Sequence, residues 1–536
     1  MDDVGNAQRL FIRFVGQTTQ RISFIGDDFT KLRSLVSDYA DFGNTLSNFK
    51  SLRVLKLYGD SIIEVPDSIE HLIHLRLLHI SRAKIRRLPK SVTELYKLQT
   101  LTIKKCFVFE LPEELSNLIN LRHIYIDTAL HRMPKNMGLL TCLQTLPIFV
   151  VVQDEGHSIK ELGALKNLRG EIGIYNLGFV KDEEEAKSAK LKEKEIFKLG
   201  LYWNREDEDE KVLEGLQPHR NLKSLTIESY GGKKFPSWVG LSQHHNLIEI
   251  KLKCIGNCEE VPTLGHLPCL RVLEIFGMVK VRCIGSEFYS DESCKNTILF
   301  PALRILKLEF MNALEEWKDA KELTSAGEVS VFPCLEELTL VECPELRYLP
   351  DSLNTCDSLQ KLIVHYCDLR YFPGVPSSII RCGIEDLPTG SEYLENWDCL
   401  PSSSSSSSST YSIQLSLQSL KFIGRPDTLL DQIQYFIALK ILWIGVQVNL
   451  VDLPESLGNI SSLQQLYLVY CCNLVHLPIK EAMQRLTQLR KLVIYGCPKF
   501  EHNERIKISH VPWVEINNSP WYPYCKELCW SDTEIW

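Results

Sequence analysis

The sequence predicts an α/β solenoid, a fold in which stacked coils place short parallel strands on one side and short helices or 3-10 turns on the other. Three observations predict it. A three-position apolar phrase recurs along the chain, an apolar residue followed by proline recurs about fourteen residues after many of its starts, and a short helical segment follows that pair. Such recurrence indicates repeats that bury their apolar side chains only by stacking on one another.

The phrase itself predicts the strands. It is a leucine, two residues of any type, an apolar residue, one further residue and a second apolar residue, and its first four starts lie 23 residues apart. Alternate residues of such a segment point to opposite sides, so the apolar set faces inward. A period in the twenties with this phrase is the pattern of leucine-rich repeats, which predicts a horseshoe with a parallel concave β-sheet and a convex side of short helices or 3-10 turns. The sixteen starts are Leu52, Leu75, Leu98, Leu121, Leu143, Ile196, Leu222, Leu247, Leu270, Leu303, Leu335, Leu359, Leu417, Leu439, Leu463 and Leu489.

The segments between the strands are also interpretable. Pairs such as Val65-Pro66 and Leu111-Pro112 belong on the convex side, because proline cannot donate to a ladder and favours the start of a helix. Cysteine recurs three residues after the last apolar position of the phrase, which is the Asn/Cys position of the repeat pattern. We expect these thiols to be buried at the bend, near backbone groups of the next coil. The five cysteines are Cys106, Cys343, Cys367, Cys471 and Cys497.

Departures from the period divide the chain into five predicted segments. Within the third segment, the charged run from Lys181 to Glu195 predicts a helix. The segments are an N-terminal capping segment with a first irregular coil (1–48), regular repeats (49–146), an irregular linking block with the charged helix (147–220), repeats with long loops and a Ser-rich insertion at 402–409 (221–510), and an aromatic C-terminal tail (511–536).

Composition and motifs argue against catalysis. The 536 residues are 44% hydrophobic and 24% charged, which is globular composition, and the net charge of -8 disfavours a nucleic-acid partner. No phosphate-binding loop, nucleophile elbow or kinase motif set occurs, so we expect no enzyme activity and no cofactor. We expect a cytoplasmic protein with reduced cysteines, because the sequence has neither a secretory signal nor an apolar run long enough to span a membrane.

A zinc site is a weaker alternative. The spacing Cys254-x3-Cys258-x7-His266-x2-Cys269 supplies ligand types that suit zinc. The same stretch carries repeat leucines and the Val261-Pro262 pair, so packing within a coil is the favoured interpretation. We therefore predict no metal ligand, and a zinc-dependent enzyme is the least favoured function.

Function is expected at the outward positions of the phrase. These positions vary from coil to coil while the inward ones stay apolar, and several hold aromatic residues of the kind enriched in protein interfaces. The first coils are also basic, since residues 50–146 contain 15 Lys and Arg against 9 Asp and Glu. The predicted partner-binding residues of the concave face are Lys56, Tyr58, His79, Lys104, His123, Tyr125, Trp443, Tyr467 and Tyr495.

The irregular stretches carry a family resemblance. The most specific of them run from Leu143 to Pro147, from Val212 to His219, from Phe235 to Trp238, from Ile284 to Tyr289 and from Ile508 to Pro512. With these, nearly the whole chain resembles the leucine-rich-repeat region of plant intracellular nucleotide-binding immune receptors of the coiled-coil class, a group of disease resistance proteins.

The resemblance implies a sensor and autoinhibitory region. In that family, this region binds pathogen effectors or guarded host proteins and restrains an upstream nucleotide switch. The coiled coil and the nucleotide-binding domain are missing from this sequence, so we expect a fragment, a truncated product or a stand-alone repeat protein. In a full receptor the basic first coils would dock the nucleotide-binding domain and the later concave surface would contact the effector. The alternative is an interaction scaffold, for example an enzyme inhibitor or a ubiquitin-ligase adaptor.

Overall fold

The computed structural model shows the predicted leucine-rich-repeat architecture of parallel strands joined by short helices and turns. The chain divides into two compact units, Met1–Cys258 and Glu259–Trp536. The Ser-rich insertion at 402–409 lies outside the described residues, and the five predicted segments stay predictions. The structure describes residues 8–12, 31–38, 43–127, 130–154, 156–204, 210–240, 245–290, 298–320, 329–370, 417–423, 430–447 and 449–517.

The strands of the first unit are β1 (Arg9–Ile12), β2 (Ser34–Ser37), β3 (Val54–Tyr58), β4 (Leu77–Ser81), β5 (Thr100–Lys104), β6 (His123–Ile126), β7 (Ile148–Val150), β8 (Arg169–Tyr175), β9 (Glu195–Tyr202), β10 (Ser224–Glu228) and β11 (Glu249–Lys253). They pair in parallel and in chain order. Strands β1 to β6 form one sheet, and β7 to β11 belong to another.

The strands of the second unit are β12 (Val272–Phe276), β13 (Cys283–Ile284), β14 (Ile298–Leu299), β15 (Ile305–Glu309), β16 (Glu316–Trp317), β17 (Ser330–Val331), β18 (Glu337–Val341), β19 (Lys361–His365), β20 (Ser419–Ile423), β21 (Ile441–Gly445), β22 (Gln465–Val469), β23 (Lys491–Tyr495) and β24 (Trp513–Asn517). Strands β12, β15 and β18 to β24 pair in parallel in this order, while β13 pairs with β16 and β14 with β17.

Short helices connect the strands, and most are 3-10 helices. The α-helices are α1 (Glu161–Ala164), α2 (Glu183–Lys187), α3 (Glu210–Gly215), α4 (Ser237–Gly240) and α5 (Lys480–Arg485). The 3-10 helices are Gly43–Asn48, Asp67–His71, Lys90–Glu94, Glu113–Asn117, Met137–Leu139, Leu177–Phe179, Leu191–Glu193, Ser286–Phe288, Asp351–Thr355, Leu430–Tyr435, Glu455–Asn459 and His502–Ile508. Five begin directly after proline, as predicted from its fixed φ: Pro66, Pro89, Pro112, Pro350 and Pro454.

The inward positions of the phrase form the core. Its three apolar side chains are almost completely buried in all but one of the described coils, as in the series Leu98, Leu101 and Ile103, each 0% exposed. The strands alternate accordingly, so every second residue packs inward and the residues between them face outward. Burying a leucine contributes about 1.5–3 kcal/mol, so stability accumulates coil by coil.

A left-handed residue ends many strands and places the repeat cysteine inward. Each of the five cysteines is buried, and the residue before it has positive φ, for example Lys105 before Cys106 (φ 53°). The prediction of burial at the bend is confirmed. The partner is corrected, because the thiol of Cys106 faces the carbonyl oxygens of Lys104 and of Ile80 in the preceding coil, at 3.3 and 3.9 Å.

The phrase that starts at Leu143 is wrong at its third position. Ile148 is half-buried, and Phe149, one residue later, is 1% exposed. A shift by one residue reverses the two faces of a strand. The ladder from β6 is reduced here to a single bridge between His123 and Thr145. Pro147 lacks the N–H that a longer ladder would use.

The coils of β8 and β2 in the first unit lack the complete phrase. In β8 the inward residues are Ile172 and Ile174, so three residues rather than two lie between Leu168 and the next core position. The register to β9 shifts between Gly170 and Glu171, and Gly170 has a φ of 94°. This irregularity absorbs the extra residue. The phrase is incomplete in the coil of β2 because Ser37 fills its third inward position, where it is 0% exposed.

The predicted charged helix from Lys181 to Glu195 is wrong in length. Helix α2 covers only Glu183–Lys187, Lys190 has a left-handed φ of 51°, and Glu195 already begins β9. A left-handed residue ends a helix. The buried Ala186, Ala189 and Leu191 show that packing into the coil decides this conformation.

Lys194 is buried in the same coil. Its side chain is 2% exposed, and Nζ donates to the carbonyl oxygen of Leu165 at 3.0 Å. Burial lowers the pKa of Lys194 to about 8. Below this pH the coil holds an ammonium in apolar surroundings, which opposes folding.

We expect Lys194→Met to remove a pH-dependent contribution to stability. The folded pKa lies below the unfolded one, so between pH 8 and about 10.4 the unfolded state binds more protons and wild-type stability rises. The wild type should therefore gain on the order of 2 kcal/mol relative to the variant over this interval. Urea unfolding at pH 7.5 and 10.5 measures the difference, with the exposed Lys192→Met as the control. Equal pH dependence in both proteins would contradict the burial of a charged amine.

Candidate protein-binding faces of the sheets

The outward strand residues form one open face on each sheet, because parallel strands in register place equivalent positions side by side. In the first sheet, Lys56 of β3 lies opposite His79 of β4, and the row continues through Thr102 to Tyr125 of β6. A second row joins Tyr58, Ser81 and Lys104. Six predicted residues of the early coils therefore share this face: Lys56, Tyr58, His79, Lys104, His123 and Tyr125.

Aromatic and cationic side chains touch on this face. The Tyr125 ring stacks on His123 at a centroid distance of 6.0 Å, and Lys104 Nζ lies 5.9 Å from the Tyr125 ring centroid. Phe11 of β1 stacks on Tyr58 at 6.2 Å and is 60% exposed. The sequence prediction missed Phe11, since its coil carries no recognisable phrase.

The two histidines are held neutral. Burial, and then the positive charges of Lys56 and Lys104, lowers the pKa of His79. Burial, and then Arg122 and Arg169, lowers the pKa of His123. Both values therefore lie below the ordinary 6.5 of histidine. At neutral pH the histidines offer hydrogen-bonding nitrogens, and the positive charge of this face comes from lysine.

The face of the last coils is built on an aromatic row. Trp443 of β21 lies beside Lys421 of β20 and Tyr467 of β22. Lys421 Nζ lies 4.5 Å from the Trp443 ring centroid, and Lys491 Nζ lies 5.1 Å from that of Tyr467. Such cation–π contacts hold the rings in place and contribute about 0.5–1 kcal/mol at exposed sites.

Two neighbours set the orientation of these rings. A Cβ atom on Gly445 would lie 2.3 Å from the Trp443 ring, so only glycine lets the indole lie flat along the strand. Tyr495, in the next outward row, makes an edge-to-face contact with Tyr470 at 5.4 Å. The structure thus places Trp443, Tyr467 and Tyr495 on one face of the second unit, with Lys421 and Lys491 as neighbours that the sequence prediction did not include.

The sequence analysis also did not identify a pair of stacked tyrosines in the first unit. Tyr175 of β8 and Tyr202 of β9 stack at 4.2 Å with an angle of 3° between the rings. The rings cover Gly173 and Gly200, where an added Cβ would come within 2.9 and 2.5 Å of them. Burial raises the pKa of Tyr175 and of Tyr202, so both phenols stay protonated. The repeated order glycine, apolar residue, tyrosine is the sequence signal for this pair.

The described residues offer no metal centre. No group of three or more His, Cys, Asp or Glu side chains in this part of the chain is arranged to hold an ion. Of the proposed zinc ligands, Cys254 and Cys269 are exposed, while the buried Cys258 donates to the carbonyl oxygen of Gly232 at 3.0 Å. Among the same residues, no helix has the length and apolar character needed to cross a bilayer.

Comparison with known proteins identifies a repeat family and several relatives. The model of the family described as "Leucine-rich repeat region" matches residues 31–298. The putative disease resistance protein RGA1 of Solanum bulbocastanum is 38% identical over 344 residues, which are 63% of this chain and 33% of that protein. The putative disease resistance RPP13-like protein 1 of Arabidopsis thaliana is 31% identical over 372 residues, which are 65% of this chain and 31% of that protein.

The similarity is partial in length. The chain spans about a quarter to a third of the length of three disease resistance proteins of Solanum bulbocastanum that it matches. Among solved structures, the Arabidopsis receptor kinase HAESA is 16% identical with a TM-score of 0.43, and the similarity covers 91% of this chain and 74% of that chain.

Proposed function

Because the chain belongs to the leucine-rich repeat family, whose model covers half of it, we propose that it is a non-catalytic protein-recognition module of plant defence. The observation that carries the proposal is the aromatic row of the last coils, in which Trp443 and Tyr467 are held by lysines on an open sheet face. The few residues that carry most of the binding energy in protein interfaces are enriched in tryptophan and tyrosine. The relatives named as disease resistance proteins support the biological setting.

The finer assignment follows the same relatives. We propose that the sheet faces sense pathogen effectors or guarded host proteins in the cytoplasm. In a longer receptor, the module would restrain the nucleotide-binding switch, with the nucleotide-binding domain docked on the basic first coils. The two faces share lysine and tyrosine but differ in their other side chains, since the first adds the neutral histidines His79 and His123 and the second adds Trp443. Different partners are therefore expected for the two faces.

Substitution of the aromatic row tests the proposal. A candidate effector or host protein that binds the wild-type chain should bind the variant Trp443→Ser, Tyr467→Ser, Tyr495→Ser at least about thirtyfold more weakly, because truncating a central aromatic residue typically costs about 2 kcal/mol or more. Isothermal titration calorimetry measures the affinities. The same ligand also serves for all control measurements.

A matched control tests whether binding depends on this sheet face or on exposed apolar side chains in general. Ile437, Val451 and Ile479 are exposed apolar residues of the same unit outside the strands, at 59%, 47% and 52% exposure. Their replacement by serine should leave binding unchanged. Affinity that survives the triple aromatic variant, or that falls equally in the control, would refute the assignment of the face.

A further inference from the structure

A second surface of the first unit lies beside the sheet face, in the segments that follow β4 and β5. Ala83, Ile85, Cys106 and Val108 are buried there, each less than 5% exposed. Because inward and outward residues alternate, the residues between them point into solvent. We call their exposed side chains the loop edge, and they are Arg82, Lys84, Arg86, Lys105, Phe107 and Phe109.

The loop edge consists of a cationic row beside an aromatic row. Backbone hydrogen bonds hold the two segments side by side. They run from Arg82 N to Lys104 O at 2.9 Å and from Phe109 N to Arg86 O at 3.3 Å. Phe107 is 59% exposed and Phe109 is 41% exposed, although Phe109 also contacts the His131 ring at 5.1 Å. Two exposed phenylalanines beside three cations are unusual for a surface with no partner.

The positive charge of the loop edge is not neutralised within the described residues. Arg82, Lys84, Arg86 and Lys105 form no ion pair there. Asp127 accepts a hydrogen bond from the backbone N of Lys105 at 2.8 Å. Glu64 and Asp67 line the same cleft as Lys84 and Arg86, but neither forms an ion pair with them among the described residues.

Charges of both signs occupy the next set of equivalent exposed positions, one residue further along each segment. There Glu64, Arg87 and Glu110 alternate in sign, and the backbones of Arg87 and Glu110 form a parallel β-bridge. The loop edge differs from these positions because its side chains are basic and aromatic and include no carboxylate.

The order of side chains across the coils favours a protein partner. Ile63, which is 68% exposed, lies 23 positions before Arg86, and Phe109 lies 23 positions after it. Apolar, cationic and aromatic side chains therefore follow one another in equivalent positions. A bilayer that took up Ile63 and Phe109 together would also have to take up the guanidinium between them, which is costly. A polypeptide can instead match the order with apolar and acidic side chains.

We propose that the loop edge binds an acidic protein segment that carries apolar or aromatic side chains. Carboxylates of the segment pair with Arg82, Lys84, Arg86 and Lys105, and its apolar side chains cover Phe107 and Phe109. Opposite charge would guide the approach of the segment, and the aromatic rings would hold it. This inference rests on the proposed function, since it gives the chemistry of a protein partner for the basic first coils.

Selection from a random peptide library displayed on phage tests the inference on the full chain. We expect the enriched peptides to combine acidic with aromatic or aliphatic residues. Their affinity should fall at least about tenfold for the variant Lys84→Glu, Arg86→Glu, Lys105→Glu and for the variant Phe107→Ser, Phe109→Ser. The matched control replaces three other exposed lysines of the first unit, Lys160, Lys166 and Lys181, with glutamate. This control should leave the affinity for the peptides unchanged. Circular dichroism verifies that each variant is folded.

The outcomes separate the inference from the proposed function. Enriched peptides that bind both loop-edge variants like the wild type, but lose affinity for the Trp443, Tyr467 and Tyr495 variant, overturn the inference and leave the proposed function standing. Binding of phosphatidylserine vesicles or of duplex RNA that depends on the loop edge, without acidic peptides, also overturns it. A library that yields no binding peptide contradicts both.

Discussion

Replacing Trp238 with alanine is expected to lower the free energy of unfolding by about 3–5 kcal/mol, the range for truncating a buried aromatic residue. Trp238 lies in α4, is 2% exposed, and is among the largest fully buried side chains of the described chain. Its Nε1 donates to the carbonyl oxygen of Leu213 in α3 at 3.0 Å. The indole thus links two consecutive coils through both packing and a hydrogen bond, and urea unfolding followed by circular dichroism measures the loss.

A second substitution separates the two contributions of Trp238. Trp238→Phe keeps most of the apolar volume but removes the donor, so a smaller loss of about 1–2 kcal/mol is expected. Equal losses for alanine and phenylalanine would show that the hydrogen bond, and not packing, dominates. A loss below 1 kcal/mol for alanine would contradict the linking role.

Gly265→Ala is expected to destabilise the second unit by about 3 kcal/mol, at the upper end of typical overpacking. A Cβ on Gly265 would lie 2.1 Å from the backbone oxygen of Tyr289. Tyr289 cannot move aside easily, because it is buried and its hydroxyl donates to Lys318 O and accepts from Trp317 Nε1, both at 2.9 Å. The alanine methyl group must therefore push two coils apart.

The control for Gly265 lies in the same coil. Cys269 is exposed, and Cys269→Ser should change stability by less than about 0.5 kcal/mol. The urea midpoint of Gly265→Ala should fall well below those of the wild type and of this control. A midpoint shared by all three proteins would mean that the coils tolerate a side chain at their contact.

Much of the fold was predictable because its signals are local. The inward set of the phrase, the 3-10 helices after Pro66 or Pro112 and the buried Cys106 each depend on residues within one coil. The prediction that relied on a long run of charged residues failed. The helix from Lys181 to Glu195 was wrong because burial of Ala186, Ala189 and Leu191 in the coil overrides the helical tendency of charged residues.

The candidate site was predictable in part. Trp443 and Tyr467 stand out as outward aromatic residues, and their place on one face follows from the phrase. Lys421 and the stacked Tyr175 and Tyr202 were missed. Lys421 lies 22 positions before Trp443, and Tyr175 lies 27 positions before Tyr202. Neither contact can be recognised within one coil, because each depends on how neighbouring strands align.

The sequence by itself determined the repeat class, the inward leucines and the outward positions, because a period of two within a strand is a property of consecutive residues. Only the tertiary structure decided which outward residues meet. It moved the core position from Ile148 to Phe149, paired Tyr175 with Tyr202, and brought the cations after β4 beside Phe107 and Phe109. The physical reason is register, since hydrogen bonds between coils choose one alignment among several that the phrase alone allows.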